Sequence, residues 1–592
     1  MTLLDRSSAP WLDRYPPGVP PVIDPDRYRS IVGVFHTACD RFRDRPAFSN
    51  MGVTISFGDL QRRSGEFAAF LRKDLGLAKG ERIALQLPNV LQYPVALFGA
   101  LRAGLVVVNV NPLYTAPEME HQFRDSGVAA IVTLANFAHK LQAVLPALAR
   151  SGQAPRVIVS ELGDLFPGPK RLLVNAVVRH VKRMVPPFDI PGAIRLRDAL
   201  ATGRRHGPSE DAELSGGDLA FLQYTGGTTG TPKGAMLTHR NIVSNMEQAS
   251  AWMGPIFVEG EEVVLTPLPL YHIFSLTVNC LLFLKWGALN VLVTNPRDLP
   301  GFIKLLRKQR FTVMTAVNTL LNALMNQPGF GQLEFRGVKL IVAGATALQQ
   351  AVAERWRSLT QTRLVEGYGL TEASPVVSCN PVDGTDRLGT IGLPLPSTRI
   401  RLVAEDGSEV PPGQSGELLV MGPQVMNGYW NRPEETADVL RDGWLWTGDI
   451  ARIDEAGFLR IVDRKKDLIL VSGFNVYPNE IEDVVSLHPA VAEVGAIGVP
   501  DDKSGEVVKI VVVRRIPEVT ADELIKFCRS RLAAYKVPKY VEFRQTELPK
   551  TTVGKILRRA LRGPAIGEHA TDEPARRQGL VPLVPPSPSS SK

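Results

Sequence analysis

The chain has 592 residues, 44% hydrophobic and 22% charged, enough for several domains with sizeable cores. Its 68 lysines and arginines against 60 aspartates and glutamates leave a net charge of +8, too slight over this length to point to nucleic acid. Cys39, Cys280, Cys379 and Cys528 are widely spaced and form no C-x-x-C pair, which argues against a disulfide framework or a zinc site and suits a reducing cytoplasm.

The N-terminal MTLLDRSSAPWLDRYPPGVPP carries charges and prolines where a signal peptide needs an apolar run. Next, RIALQLP (82–88), VVVNVNP (106–112) and AAIVTLA (129–135) are predicted to be buried strands. Residues 168–186, GPKRLLVNAVVRHVKRMVP, set Leu173, Val174, Val177, Val178, Val181, Met184 and Val185 on one helical face. Arg171, Arg179, Lys182 and Arg183 lie opposite. A basic amphipathic helix of this kind can lie on an anionic membrane, here the inner face of the cell membrane, although packing of the apolar face on the protein is the commoner use.

The run DLAFLQ then leads into YTGGTTGTPKG (224–234), and Thr238 is a predicted helix N-cap. The longest uncharged apolar run, 273–284, stops at Lys285, short of the roughly 18–20 residues of a membrane-spanning helix. FTVMTAV (311–317) and VKLIVAGA (338–345) continue the strand–helix alternation. The class is therefore α/β, with a large N-terminal body of helix-covered sheets. From about residue 389 the texture turns to Gly/Pro-punctuated strands, and RLVAEDGSEV carries a D-G turn, so a β-rich subdomain closes the body. After DRKKD (463–467), an acidic helix start at PNEIEDVV, the strand VVKIVVVRR and a helix over about 521–532 predict a small α+β unit. The expected division is 1–465 for the body, 466–565 for the C-terminal domain and 566–592 for a disordered Pro/Ser-rich tail. No internal repeat is present.

Glycines let a backbone approach an anion closely, inward N–H groups and threonine hydroxyls donate to it, and Lys233 adds positive charge. YTGGTTGTPKG thus reads as a phosphate loop. It does not satisfy G-x-x-x-x-G-K-[ST], since the lysine follows Gly230 by three residues, behind a proline, and precedes Gly234. An ordinary P-loop nucleotide hydrolase is disfavoured.

YTGGTTGTPKG resembles the phosphate loop of the adenylate-forming enzymes, which include acyl-CoA synthetases, insect luciferases and peptide-synthetase adenylation domains. EGYGLTE (366–372), DGWLWTGD (442–449), FLRIVDRKKDLILVSGFNVYPNEIE (458–482) and PKTTVGKILRR (549–559) follow in that superfamily's order and spacing. NPLYTAPEMEHQ, LPLYHIF and the N-terminal WLDRYP and DPDRY are most similar to bacterial long-chain fatty-acid–CoA ligases.

The resemblance implies a role for each matching residue. Thr225, Gly226, Gly227, Thr228, Thr229, Gly230 and Lys233 would hold the β- and γ-phosphates of ATP and the departing pyrophosphate. Tyr368, between Gly367 and Gly369, offers a ring to adenine, and Thr371 reaches the α-phosphate. Glu372, with Thr228, would serve Mg²⁺, which typically takes one or two protein ligands plus phosphate oxygens. Asp449 would accept the ribose hydroxyls, and Arg464 would brace ribose and phosphate. Gly344 and Ala345 would line the adenine and acyl pocket, although the family commonly has a second glycine where this chain has Ala345. His272 would close over the carboxylate end of the acyl pocket. Lys466 is the implied hinge of a mobile C-terminal domain. Lys555 would serve the first reaction, and the loop around Gly473 would line the coenzyme A channel in the second. As a bare pattern, Lys550, Lys555, Arg558, Arg559 and Arg562 form a solvated helix face, and the resemblance lifts only Lys555 out of it.

The chemistry agrees. A thioester forms from a carboxylate only if an oxide leaving group is lost, so the acid must first be activated. Attack on ATP gives an acyl-adenylate and pyrophosphate, and thiol attack then releases AMP. Such a site needs charge neutralisation and positioning more than a protein nucleophile, and the chain has no G-x-S-x-G. The expected activity is ATP-, Mg²⁺- and coenzyme A-dependent ligation of a long-chain fatty acid. Ligation of medium-chain or aryl acids, and a non-catalytic fatty-acyl binding or transport protein, are the alternatives. A second copy of the chain is left open as a partner.

Overall fold

Strand runs that are apolar on both faces need cover on both sides, and the molecule supplies it with two largely parallel sheets wrapped in helices. The computed structural model describes residues 9–207, 210–225, 232–472, 474–501, 504–551 and 554–562. The predicted tail lies outside them.

In one sheet, Arg82–Gln86 pairs in parallel with Val106–Asn109 and with Val128–Leu134. Leu219–Thr225 joins in parallel beside Val106–Asn109, and Lys233–Thr238 turns back antiparallel at the edge. Thr238 caps the next helix, His239–Met253, in a capping box with Asn241.

The other large sheet runs in parallel through Leu364–Gly369, Leu340–Ala343, Val313–Ala316, Val263–Thr266 and Leu289–Leu292. Val376–Cys379 and Leu393–Pro394 extend one edge antiparallel. The run 273–284 packs in the core, where the helical stretch Ser275–Leu282 is wholly buried. A third, antiparallel sheet holds Arg399–Val403, Gly416–Met421, Trp444–Ile453 and Leu459–Arg464. The D-G turn closes between the first two, with Gly407 at φ +84°.

Residues from Ile469 onward gather around a core of their own, with Val476, Ile481, Ile510, Leu524 and Cys528 at its centre. Its sheet is built on Val491–Asp501 and Gly505–Arg514, against which Pro478–Ser486 packs. All four cysteines are buried and free. No helix among the described residues is long and apolar enough to cross a membrane.

The stretch 168–186 departs from one continuous helix. Helical turns end at Val181, and Arg183 adopts a left-handed φ of +50° ahead of Pro186 and Pro187. The expected apolar face is therefore divided. Val178 is buried and Val174 and Val185 pack on the cores, whereas Leu173, Val181 and Met184 stand exposed, as does Leu172.

Candidate active site

The strand Leu364–Gly369 ends in a glycine-bounded tyrosine for steric reasons. A Cβ on Gly369 would lie 2.2 Å from the Pro375 carbonyl oxygen, so the chain can pass only as glycine there. Tyr368 is thereby presented to the cleft between the body and the C-terminal unit, and its phenol donates to Asp449 Oδ2 at 2.5 Å. Burial drives the Tyr368 phenol well above its ordinary pKa, so it stays a donor. Arg464 Nε meets the other Asp449 oxygen at 3.0 Å. Residues 449 and 464 face each other across neighbouring strands, which fixes this pair by register. Asp449 is thus buried and held from both sides. Each oxygen retains a lone pair that can accept a further donor from the cleft.

Lys555 lines the same cleft. Its loop is closed by Thr551 N–H donating to the Lys555 carbonyl at 2.7 Å and Lys555 N–H donating to Thr551 Oγ1 at 3.0 Å. Burial, then the neighbouring Arg464 guanidinium, pushes the Lys555 ammonium down to about 8. The loop touches the body at Gly554, whose φ is +79° and whose added Cβ would lie 2.3 Å from Thr319 Oγ1. Gly344 and Ala345 follow the strand Leu340–Ala343. Ala345 has φ +65°, a left-handed conformation that glycine would adopt at less cost. The buried Glu366 also borders the cleft, and burial pushes its carboxyl up to about 8.

A second cluster surrounds the ends of the phosphate loop. Gly226, Gly227, Thr228, Thr229 and Gly230 lie outside the described residues, as does Gly473, but Thr225 and Lys233 are paired across the strands that frame the loop. Lys233 Nζ sits 5.0 Å from the centre of the Tyr429 ring, and the Tyr429 hydroxyl donates to Glu372 Oε1 at 2.7 Å. Tyr429 therefore links the loop lysine to the acidic turn Thr371–Ala373. Among the described residues no cluster of three or more His, Cys, Asp or Glu could hold a metal ion. Glu372 alone fits a magnesium that arrives already bound to phosphate and water, which is the ordinary manner of that ion.

His272 stands apart from the Lys555 cleft, on the loop after Val263–Thr266. Burial pushes its imidazole down to about 4, so it is neutral at pH 7. Two residues on, the Phe274 ring borders Gly344, which a Cβ would bring within 3.2 Å. Lys466 also lines the cleft, on the connector Lys465–Asp467 between body and C-terminal unit.

Two residues escaped the sequence reading. Tyr429 was signalled only by an aromatic within NGYW. Arg558 belongs to no solvated helix face: its side chain is 13% exposed and meets Asp463, Asp467 and Glu482.

Comparison with known proteins decides the family. The model of the AMP-binding enzyme family matches residues 35–430, and that of the AMP-binding enzyme C-terminal domain matches residues 480–555. The chain belongs to the AMP-binding enzyme family. A long-chain-fatty-acid–CoA ligase of Escherichia coli O6:H1 is 57% identical over 94% of this chain and 98% of its own length. The ligase so named in Bacillus subtilis strain 168 is 40% identical over 94% and 98%. Among solved structures, ATP-bound MatB of Rhodopseudomonas palustris superposes with a TM-score of 0.77 at 30% identity, covering 90% of this chain and 98% of that one. Within this AMP-binding enzyme, the two matched segments contain, respectively, Tyr368 with Glu372, and Lys555.

Proposed function

We propose that the protein joins a long-chain fatty acid to coenzyme A in two steps: fatty acid and ATP give acyl-adenylate and pyrophosphate, and coenzyme A then displaces AMP. The observation that carries this reading is the convergence of Tyr368, Asp449, Arg464 and Lys555 on one cleft, in a chain 57% identical to a long-chain-fatty-acid–CoA ligase over nearly its whole length. Asp449 and Tyr368 hold the nucleoside, and Thr225 and Lys233 flank the leaving pyrophosphate. Glu372 would hold a magnesium ion arriving with ATP, which would supply neutralisation of phosphate charge. Lys555 brings a positive charge toward the carboxylate and α-phosphate. His272, being neutral, can close over the carboxylate end without repelling or protonating it. In the second step the C-terminal unit turns about Lys466 and withdraws Lys555. Coenzyme A-dependent AMP release measured across fatty acids of graded length is expected to peak at long chains. A peak at aryl or short acids would overturn the substrate assignment.

The protein works in the cytoplasm, resting on the anionic inner face of the cell membrane through residues 168–186. Leu172, Leu173, Val181 and Met184 stand exposed beside Lys182 and Arg183, which supports this reading, and a long-chain acid partitions into the same surface. Vesicles containing anionic lipid should float the wild type, and a Lys182→Glu/Arg183→Glu variant should float severalfold less. Equal flotation would sink the idea.

A further inference from the structure

We propose that Arg558 is a positioning residue for adenylate formation: its contact with Asp463 seats the Lys555 loop against the body and exists only while that loop is docked. This rests on the two-step reading above and on a C-terminal unit that turns about Lys466.

Arg558 lies three residues beyond Lys555, in the short helical turn Arg558–Leu561. Its guanidinium serves three elements at once. Nε and Nη2 grip both oxygens of Glu482 at 2.9 and 2.8 Å, and Nη2 also meets Asn479 Oδ1; both partners sit on the helix Pro478–Ser486. Nη1 reaches Asp463 Oδ1 at 2.9 Å and Asp467 Oδ2 at 3.3 Å. Asp463 belongs to the strand Leu459–Arg464 of the body, and Asp467 to the connector. A planar fork with donors on several edges can make such a joint, and a lysine point charge cannot.

Asp463 is the body's half of the contact. Its side chain is 1% exposed and is filled by donors: Arg464 N–H at 2.7 Å, Asn479 N–H at 2.7 Å and Arg558. Two of these three come from the C-terminal unit. When that unit turns about Lys466, Glu482 and Asn479 travel with Arg558 while Asp463 stays behind. Arg558–Glu482 is thus internal to the moving unit, whereas Arg558–Asp463 is a contact of one arrangement alone. Asp463 neighbours Arg464, the residue gripping Asp449, so the joint locates Lys555 relative to the groups that hold the nucleoside.

The test uses the full chain and measures the half-reactions separately: fatty-acid-dependent ATP–pyrophosphate exchange, and acyl-CoA formation from supplied acyl-adenylate. Arg558→Gln and Asp463→Asn are expected to lower exchange by on the order of 10–100-fold while leaving thiolysis within about twofold. The double variant should lose no more than Arg558→Gln alone, because the contact that Asp463→Asn removes is already gone there. Should Arg558→Gln not fold, Asp463→Asn carries the test, since it leaves the Arg558–Glu482 pair intact. Parallel loss of thiolysis, additive losses in the double variant, or undiminished exchange would each overturn the role. A wild-type chain that forms acyl-CoA without any exchange would overturn the two-step reading, and this role with it.

Discussion

Replacing Lys555 with alanine is expected to reduce acyl-adenylate formation by on the order of 100–1,000-fold, the scale of losing one preorganised charge at a developing anion. Conversion of supplied acyl-adenylate to acyl-CoA should persist, because in the proposed cycle the lysine has left the site by then. Undiminished ATP–pyrophosphate exchange in the variant would refute the assignment. The pH dependence supplies a second reading. Burial beside Arg464 lowers the Lys555 ammonium to about 8, so this group carries its proton below pH 8 and sheds it above. Below that pH the docked loop bears the cost of a buried charge. Between about 8 and the ordinary lysine value of 10.5 the cost falls away, so docking strengthens as catalytic charge is lost. For exchange, kcat/KM for ATP reports groups of the free enzyme and should fall about tenfold per pH unit above 8. Lys555→Arg should abolish that fall while leaving a lower plateau.

The second large effect is expected at a residue with no functional group. Gly554→Ala places a methyl where 2.3 Å separates it from Thr319 Oγ1, in a backbone conformation of φ +79° that side chains rarely adopt. The loop cannot then close on the body with Lys555 in place, and exchange should drop about 10–100-fold, the scale of misplacing a reacting group by roughly an ångström. The core around Ile469 and Val508 lies elsewhere, so the C-terminal unit should stay folded and thiolysis should continue. Adding Thr319→Ala removes the clashing oxygen and should restore part of the exchange. Failure to restore any would assign the loss to the backbone conformation instead of the contact.

What could be read from the chain follows from how local the signal is. The strands at 82, 106 and 128 are apolar on consecutive residues, so burial on both faces was visible directly. The N-cap at Thr238 is local to the start of its own helix and was equally plain, although its capping-box partner Asn241 was not. The pairing of Asp449 with Tyr368 and Arg464 depends on register across a sheet and on a cleft between units, which no spacing reveals, and only the family pattern pointed to it. Arg558 was misread for the same reason: a basic run looks solvated until the carboxylates at 463, 467 and 482 fold around it. The 168–186 stretch shows the converse error, where periodicity is right for its first turns but cannot foresee that they stop at Val181, with Arg183 left-handed just beyond.

The four residues 463–466 use the two-residue alternation of a strand as a divider. Arg464 points to the face that carries Asp449, and Asp463 points the other way to Asn479 and Arg558. The connector then begins at Lys465, with Lys466 at its centre. Docking contact, nucleoside grip and pivot thus fall within four residues, at Asp463, Arg464 and Lys466, with only Lys465 between grip and pivot. A single inserted residue here would swap the two faces and move the pivot together, so this segment tolerates substitution of a side chain far better than any change of length.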